Sequence, residues 1–224
     1  MKLLQAFNFF FGSFFNRAGV RINHSLLYLQ RKRTIDRNYM DYIRLSALEL
    51  VADEINTKGV KGSTAELGVY KGKFARYINL YFPGRKLFLF DTFEGFNQAD
   101  VTIEREKSFS SGDQDFSNTS VAGVLKRMPD PSQCVIRKGY FPETAAGIEE
   151  TFAFVSIDAD LYEPILSGLN FFYPRLSKGG FIFVHDYNND AYKGAKRAVE
   201  EFCRTNDVSC IPLPDAAGTA LIVK

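Results

Sequence analysis

The chain has 224 residues, 46% of them hydrophobic and 24% charged, so it is long and apolar enough to bury a full core. A net charge of +2, with one short basic run at 31–33, argues against a nucleic-acid-binding protein. The three cysteines lack CxxC spacing and are odd in number, which favours a reduced, cytoplasmic protein.

The first 15 residues are rich in phenylalanine and leucine but are interrupted by Gln5 and Asn8. They contain no clear signal-peptide cleavage site and fall short of the roughly 20 apolar residues of a membrane span. Two interpretations stay open. One is an interfacial amphipathic helix in weak contact with a membrane surface, and the other is a helix packed on the domain or on a neighbouring subunit. We favour the second and expect a homo-oligomer, because exposed aromatic surface of this size is usually covered.

Residues 1–60 are predicted to form a helical extension, since no strand pattern occurs there and 41–55 carries apolar residues at helical spacing. Strands and helices alternate over 61–224, which we predict to be the second domain. The predicted strands are 63–69, 86–91, 134–138, 152–157, 180–184, 209–213 and 219–223, and the predicted helices are 72–81, 119–128, 162–172 and 191–204.

This alternation predicts an α/β fold with a doubly wound, mostly parallel seven-stranded sheet and an antiparallel last strand. The polar stretch 97–118 interrupts the alternation and is typical of a lid or substrate loop. Ligands of such sheets bind at the carboxyl ends of the strands, so the residues that end each predicted strand are the candidate site.

A glycine turn follows the first predicted strand, with Glu66 just before Gly68 and a second glycine at Gly72. Asp91 ends the next strand, about 20 residues after the turn, where α/β nucleotide folds place a ribose-binding acid. The turn lacks the GxGxxG pattern, and Glu66 would repel a pyrophosphate. A carboxylate suits a cofactor with a positive charge and an amino acid head group. S-adenosylmethionine has both, so we predict that this cofactor binds here, with its ribose on Asp91.

Two later strands end in Asp158 and in the pair His185-Asp186. Carboxylates and an imidazole that converge on one crevice suit a divalent cation, with magnesium or manganese favoured. Such a cation would lower the pKa of a substrate hydroxyl. His185 is equally suited to act as a general base or as a hydrogen-bond donor, and Asp160 to cap the following helix.

Five segments, taken together, resemble the macrocin O-methyltransferase (TylF/MycF) family in order and spacing: 66–72, 90–96, 139–144, 158–163 and 179–182. The resemblance implies a Rossmann-like class I S-adenosylmethionine-dependent methyltransferase with magnesium, acting on hydroxyls of sugars attached to natural products. It implies cofactor contacts from Glu66, Gly68 and Asp91, and we add Tyr70, Gly72, Thr92, Gly139 and Asp158 as candidate cofactor contacts. It also implies that Asp158 is the base and that Asp158 and Asp186 are metal ligands.

The chain departs from the family where the family has Asp-Asp-Tyr, because here the residues are His185-Asp186-Tyr187. An imidazole is a poor magnesium ligand. We include His185 with the metal ligands and with the catalytic residues. The change leaves open a different metal, a different base or no metal.

The sequence therefore predicts an S-adenosylmethionine-dependent O-methyltransferase, assisted by a divalent metal, whose acceptor is a hydroxyl of a sugar or small natural product. The alternative is a catalytically silent cofactor-binding module that acts in assembly or at a membrane surface. The presence of both Asp158 and Asp186 argues against the silent module. The missing GxGxxG disfavours a nicotinamide oxidoreductase.

Overall fold

The computed structural model describes residues 41–224. The predictions for 1–40, including the phenylalanine-rich start and its membrane or subunit contacts, lie outside this range. Within it, no helix is long and apolar enough to cross a membrane. The helices are α1 (Tyr42–Thr57), α2 (Lys73–Tyr81), α3 (Gln98–Glu106), α4 (Val121–Leu125), α5 (Tyr162–Arg175) and α6 (Lys193–Asn206). The strands are β1 (Ser63–Leu67), β2 (Leu87–Asp91), β3 (Cys134–Lys138), β4 (Phe152–Ile157), β5 (Leu176–Val184), β6 (Ile211–Leu213) and β7 (Thr219–Val223).

The strands form one sheet in the order β3-β2-β1-β4-β5-β7-β6. Strands β1 to β5 are parallel, and β7 is antiparallel to both of its neighbours. This confirms the predicted fold class. The strand order reverses between β1 and β4, and the crevice at their carboxyl ends is where open α/β sheets bind ligands.

Helices cover both faces of the sheet, which is why β4 is buried along its whole length. On one face, α5 and α6 contribute Phe172 and Phe202 to the core. On the other face, α1 and α2 contribute Leu48 and Ile78. The first described helix therefore belongs to the packed core, and its position relative to β4 is fixed. The predicted domain boundary at residue 60 stays a prediction.

The polar stretch 97–118 differs from its prediction because it contains α3. Asn97 caps this helix by accepting a hydrogen bond from the Ala99 N–H at 2.8 Å. Asp100 and Glu104 lie on the buried face of α3, beside Val101. The sequence did not predict this helix, because two carboxylates on its buried face interrupt the regular apolar repeat that indicates a helix.

Candidate active site

A cavity of about 420 Å³ lies at the carboxyl ends of β1, β2, β4 and β5. This volume falls in the range of roughly 300–1,000 Å³ that is typical of small-molecule sites. The predicted site residues that line it are Glu66, Gly68, Tyr70, Asp91, Thr92, Gly139, Asp158, His185 and Asp186. Gly72 is not among the lining residues. It caps α2 in a left-handed conformation, and a Cβ there would lie 3.0 Å from the Val124 side chain.

Gly68 brings the ends of β1 and β4 together. Its φ is +84°, in the left-handed region that favours glycine. A Cβ at this position would overlap the carbonyl oxygen of Asp158. The two strand ends that carry Glu66 and Asp158 can therefore approach each other only with glycine at position 68.

Gly68→Ala is expected to lower the free energy of unfolding by about 3 kcal/mol, because the backbone strain and the overlap with Asp158 add. Gly84→Ala is the matched control, since Gly84 has a φ of +76° but open space around it. The control should lose only the backbone cost, about 1–2 kcal/mol. Urea denaturation of both variants measures the difference, and equal losses would contradict the overlap.

Asp91 organises the turn after β1. Its Oδ2 accepts hydrogen bonds from the N–H groups of Val69 and Tyr70, both at 2.7 Å, and its Oδ1 accepts from Phe93 at 2.6 Å. A carboxylate has about four lone-pair sites, so three are used within the protein. The predicted ribose contact is compatible with the fourth and stays a prediction.

Glu66 is a buried carboxyl group, 1% exposed, on the cavity wall. Burial and the negative charges of Asp158 and Asp91 raise its pKa well above its ordinary value of 4.5, against the opposing charge of Arg44. Within residues 41–224, its Oε2 has no hydrogen-bond partner. A buried acceptor without a donor is costly, and a cationic amino group bound in the cavity would supply the donor. This side chain therefore fits the amino acid end of S-adenosylmethionine.

Glu66→Gln is expected to remove a pH dependence of stability. The native state keeps the Glu66 proton to higher pH than the unfolded chain, whose carboxyl titrates near 4.5. As pH rises above 4.5, the free energy of unfolding of the native protein therefore falls relative to that of the variant. The slope of this difference is at most about 1.4 kcal/mol per pH unit. Urea denaturation of both proteins between about pH 4 and pH 8 measures this slope. A difference that does not change with pH would contradict the buried carboxyl.

Arg44 enters the site from α1 and is 5% exposed. Its Nη1 donates to Asp158 Oδ2 at 2.9 Å, and its Nη2 lies 3.4 Å from Ser156 Oγ. The guanidinium carbon lies 4.0 Å from the centroid of the Phe74 ring. The side chain is thus held between an aromatic face and the end of β4, and it lines the cavity.

Our sequence reasoning missed Arg44, although a signal was present. Arg44 is spaced at i, i+4, i+7 and i+11 with three buried residues of α1: Leu48, Val51 and Ile55. A cation on the apolar stripe of a helix needs a buried acidic partner. The partner is 114 residues away, and the sequence does not identify it.

His185 lies between two carboxylates. Its Nδ1 is 3.1 Å from Asp158 Oδ1 and 2.9 Å from Asp186 Oδ2. Burial opposes its charge, but the Asp158 carboxylate raises the pKa of His185 to about 10. Burial likewise opposes ionisation of Asp158, yet the charges of Arg44 and His185 hold the pKa of Asp158 well below its usual range. At neutral pH the cluster therefore contains an ionised Asp158 and a protonated His185.

Asp160 does not cap α5, so the capping interpretation is wrong. The helix begins after Leu161 without a side-chain cap from that residue. The N–H of Tyr162 donates instead to Glu104 Oε1 of α3, at 2.7 Å. Asp160 lines the cavity, where burial, Asp186 and Asp158 raise its pKa well above the usual range.

Aromatic side chains close one side of the cavity. Tyr70 contacts Phe116 (ring centroids 5.0 Å apart), Phe116 contacts Phe96 (5.1 Å), and Phe96 contacts Tyr192 (6.4 Å). The Tyr70 hydroxyl donates to Asn118 at 2.6 Å. The segment 97–118 is thus packed over the site, as expected of a lid, and closure over a substrate stays a prediction.

The family model for macrocin-O-methyltransferase (TylF) matches residues 34–219. The chain belongs to this family. The predicted resemblance is therefore confirmed over most of the chain.

Two curated relatives share this similarity. The Streptomyces olivaceus protein named 8-demethyl-8-(2,3-dimethoxy-alpha-L-rhamnosyl)-tetracenomycin-C 4'-O-methyltransferase is 27% identical over 169 residues, which cover 68% of this chain and 63% of that relative. Mycinamicin III 3''-O-methyltransferase from Micromonospora griseorubida is 26% identical over 190 residues, which cover 79% of this chain and 74% of that relative. The match thus spans less than two thirds of the first relative.

The solved structure of the O-methyltransferase NovP has the same fold. It superposes with a TM-score of 0.67 at 21% identity, over 82% of this chain and 80% of that one.

The magnesium that the family resemblance implies does not fit the donor set of this chain. One atom from each of Asp158, His185 and Asp186 lies within 4.8 Å of the others, which satisfies the spacing of a metal site. However, the third donor is the His185 imidazole, which is a poor magnesium ligand, and the cationic Arg44 side chain already donates to Asp158 at 2.9 Å. Magnesium requires oxygen lone pairs directed at it at about 2.0–2.1 Å. The predicted metal stays a prediction.

Proposed function

We propose that this chain is an S-adenosylmethionine-dependent O-methyltransferase whose acceptor is a sugar hydroxyl of a natural product. The observation that carries the proposal is the division of one cavity into two chemically different ends. Glu66 and Asp91 line the end near β1 and β2, and Asp158 and His185 line the end near β4 and β5. The names of both curated relatives, sugar O-methyltransferases of natural products, support the acceptor class.

The first end suits the cofactor. Glu66 presents a buried oxygen without a partner to a cationic amino group, and Asp91 holds the turn against which the ligand lies. When bound, S-adenosylmethionine supplies a methyl carbon that its sulfonium already activates. The protein therefore contributes mainly position and charge.

The second end suits the acceptor. Asp158 is ionised and can accept a hydrogen bond from a hydroxyl, and it takes the proton as the oxygen gains its methyl group. Because its pKa is low, Asp158 is a weak base, and the activated methyl group makes a stronger base unnecessary. Phe96, Phe116 and Tyr192 give the cavity an apolar wall. Metal assistance is not part of the proposal, because the donor set does not fit magnesium, the metal that the family resemblance implies.

The proposal is tested with S-adenosylmethionine that carries a labelled methyl group and a panel of glycosylated natural products, with detection of methylated product by mass spectrometry. A labelled sugar is the expected result. Binding of S-adenosylhomocysteine without transfer to any glycoside would favour the silent cofactor-binding module instead.

Asp158→Asn is the matched variant for this assay. We expect it to retain S-adenosylhomocysteine binding and to lose about 100-fold in methyl transfer, because the amide cannot take the hydroxyl proton. Equal turnover by the variant and the native protein would contradict the role of Asp158.

A further inference from the structure

We propose that Arg44 and His185 replace the divalent metal in this chain, so that the acceptor end of the site works without a bound cation. This proposal takes the reaction, methyl transfer to a hydroxyl, from the proposed function. Its test is independent of that function, because metal binding is measured on the protein alone.

The two carboxylates at the ends of β4 and β5 already contact side chains of this protein. Asp158 Oδ2 accepts from Arg44 at 2.9 Å, and its Oδ1 lies 3.1 Å from His185 Nδ1. Asp186 Oδ2 lies 2.9 Å from the same nitrogen, and its Oδ1 accepts from Asn189 at 2.7 Å. His185 Nδ1 thus lies between the two carboxylates, within hydrogen-bond distance of both.

Arg44 is a buried cation beside the Asp158 carboxylate. The side chain is 5% exposed and stacks on Phe74, and α1 packs in the core through Leu48. An arginine guanidinium keeps its charge throughout the range in which proteins fold. A divalent cation at Asp158 would therefore bind beside a permanent positive charge 2.9 Å from the same carboxylate, and the two cations would repel each other.

The residue at position 185 points the same way. The family resemblance implies two successive aspartates where this chain has His185-Asp186. The exchange replaces a carboxylate with an imidazole at the same point. Arg44 and His185 then serve as positioning residues: they hold Asp158 in place as the proton acceptor. The hydroxyl proton passes to Asp158 while the acceptor oxygen forms its bond to the methyl carbon, and the electron pair of the broken carbon–sulfur bond stays on sulfur.

The test is a Mn²⁺ titration of the metal-stripped full chain, followed by the electron paramagnetic resonance signal of free Mn²⁺. We expect the native protein to show no saturable site. His185→Asp restores the third carboxylate and removes the N–H donor, so it should bind Mn²⁺ at least about tenfold more tightly than the native protein. Asn188→Asp is the matched control, because it adds a carboxylate to the same loop at an exposed position and leaves His185 in place. It should bind no more tightly than the native protein.

Arg44→Met provides a second variant that does not alter the loop. It frees Asp158 Oδ2 and should also raise Mn²⁺ affinity, whereas Arg44→Lys should restore the native behaviour. One equivalent of Mn²⁺ bound by the native protein and lost in Asp158→Asn would overturn the proposal. A folded His185→Asp protein that binds Mn²⁺ no better than the native one would overturn it too. S-adenosylhomocysteine titrations of the same samples show separately whether the proposed function holds.

Discussion

Asp91→Ala is expected to lower the free energy of unfolding by about 3–5 kcal/mol and to abolish S-adenosylhomocysteine binding. The carboxylate accepts hydrogen bonds from the N–H groups of Val69, Tyr70 and Phe93. Removing a charged acceptor leaves these donors unpaired, and each costs about 1–3 kcal/mol where water does not replace it. The turn after β1 then loses the shape that the cofactor needs. Urea denaturation and calorimetry measure the two effects.

Glu94→Ala is the matched control for Asp91→Ala. Glu94 lies in the same loop, but its side chain is exposed and forms an ion pair with Lys138 at the surface. An exposed pair contributes at most about 1 kcal/mol, so stability and binding should change little. An Asp91→Ala protein that matches this control in both measurements would contradict the role of Asp91.

Arg44→Met is expected to lower the free energy of unfolding by about 3 kcal/mol. Breaking a buried ion pair costs about 3–5 kcal/mol, and the lower end applies because Asp158 is 24% exposed. Methionine fills a similar volume and keeps the contact with Phe74. The loss of unfolding free energy therefore comes mainly from removing the positive charge. Urea denaturation of the native protein, both single variants and the double variant with Asp158→Asn gives a double-mutant cycle.

We expect the double variant to lose less than the sum of the single variants by about 2 kcal/mol, because it removes both charges of the pair. Additive losses, within about 0.5 kcal/mol, would show that Arg44 and Asp158 are not coupled. The cycle therefore tests the link between α1 and the active site independently of any acceptor.

The strand ends of this site were predictable because local chemistry marks them. Glu66, Asp91 and Asp158 each lie in or directly after a short buried strand, and parallel strands bring such ends to one edge of the sheet. The tight turn at Gly68 was predictable too, because glycine favours the left-handed conformation that such a turn needs.

What the sequence did not reveal depends on contacts between distant segments. The partner of Arg44 directly follows β4. In α3, Asp100 accepts a hydrogen bond from the Tyr140 hydroxyl, and Glu104 accepts one from the Tyr162 N–H. The hydrogen bonds of Asp91 to the turn before α2 also span more than 20 residues. Contacts between residues so far apart leave no pattern in the local sequence. The two carboxylates on the buried face of α3 therefore could not be recognised as part of a helix.

The assignment of the cavity to S-adenosylmethionine is tested by calorimetric titration of S-adenosylhomocysteine into the full chain in the presence of a metal chelator. We expect one saturable site per chain, whose affinity does not change when magnesium is added and which Asp91→Ala abolishes. The absence of binding, or binding of NAD in its place, would contradict the assignment of this cavity to S-adenosylmethionine.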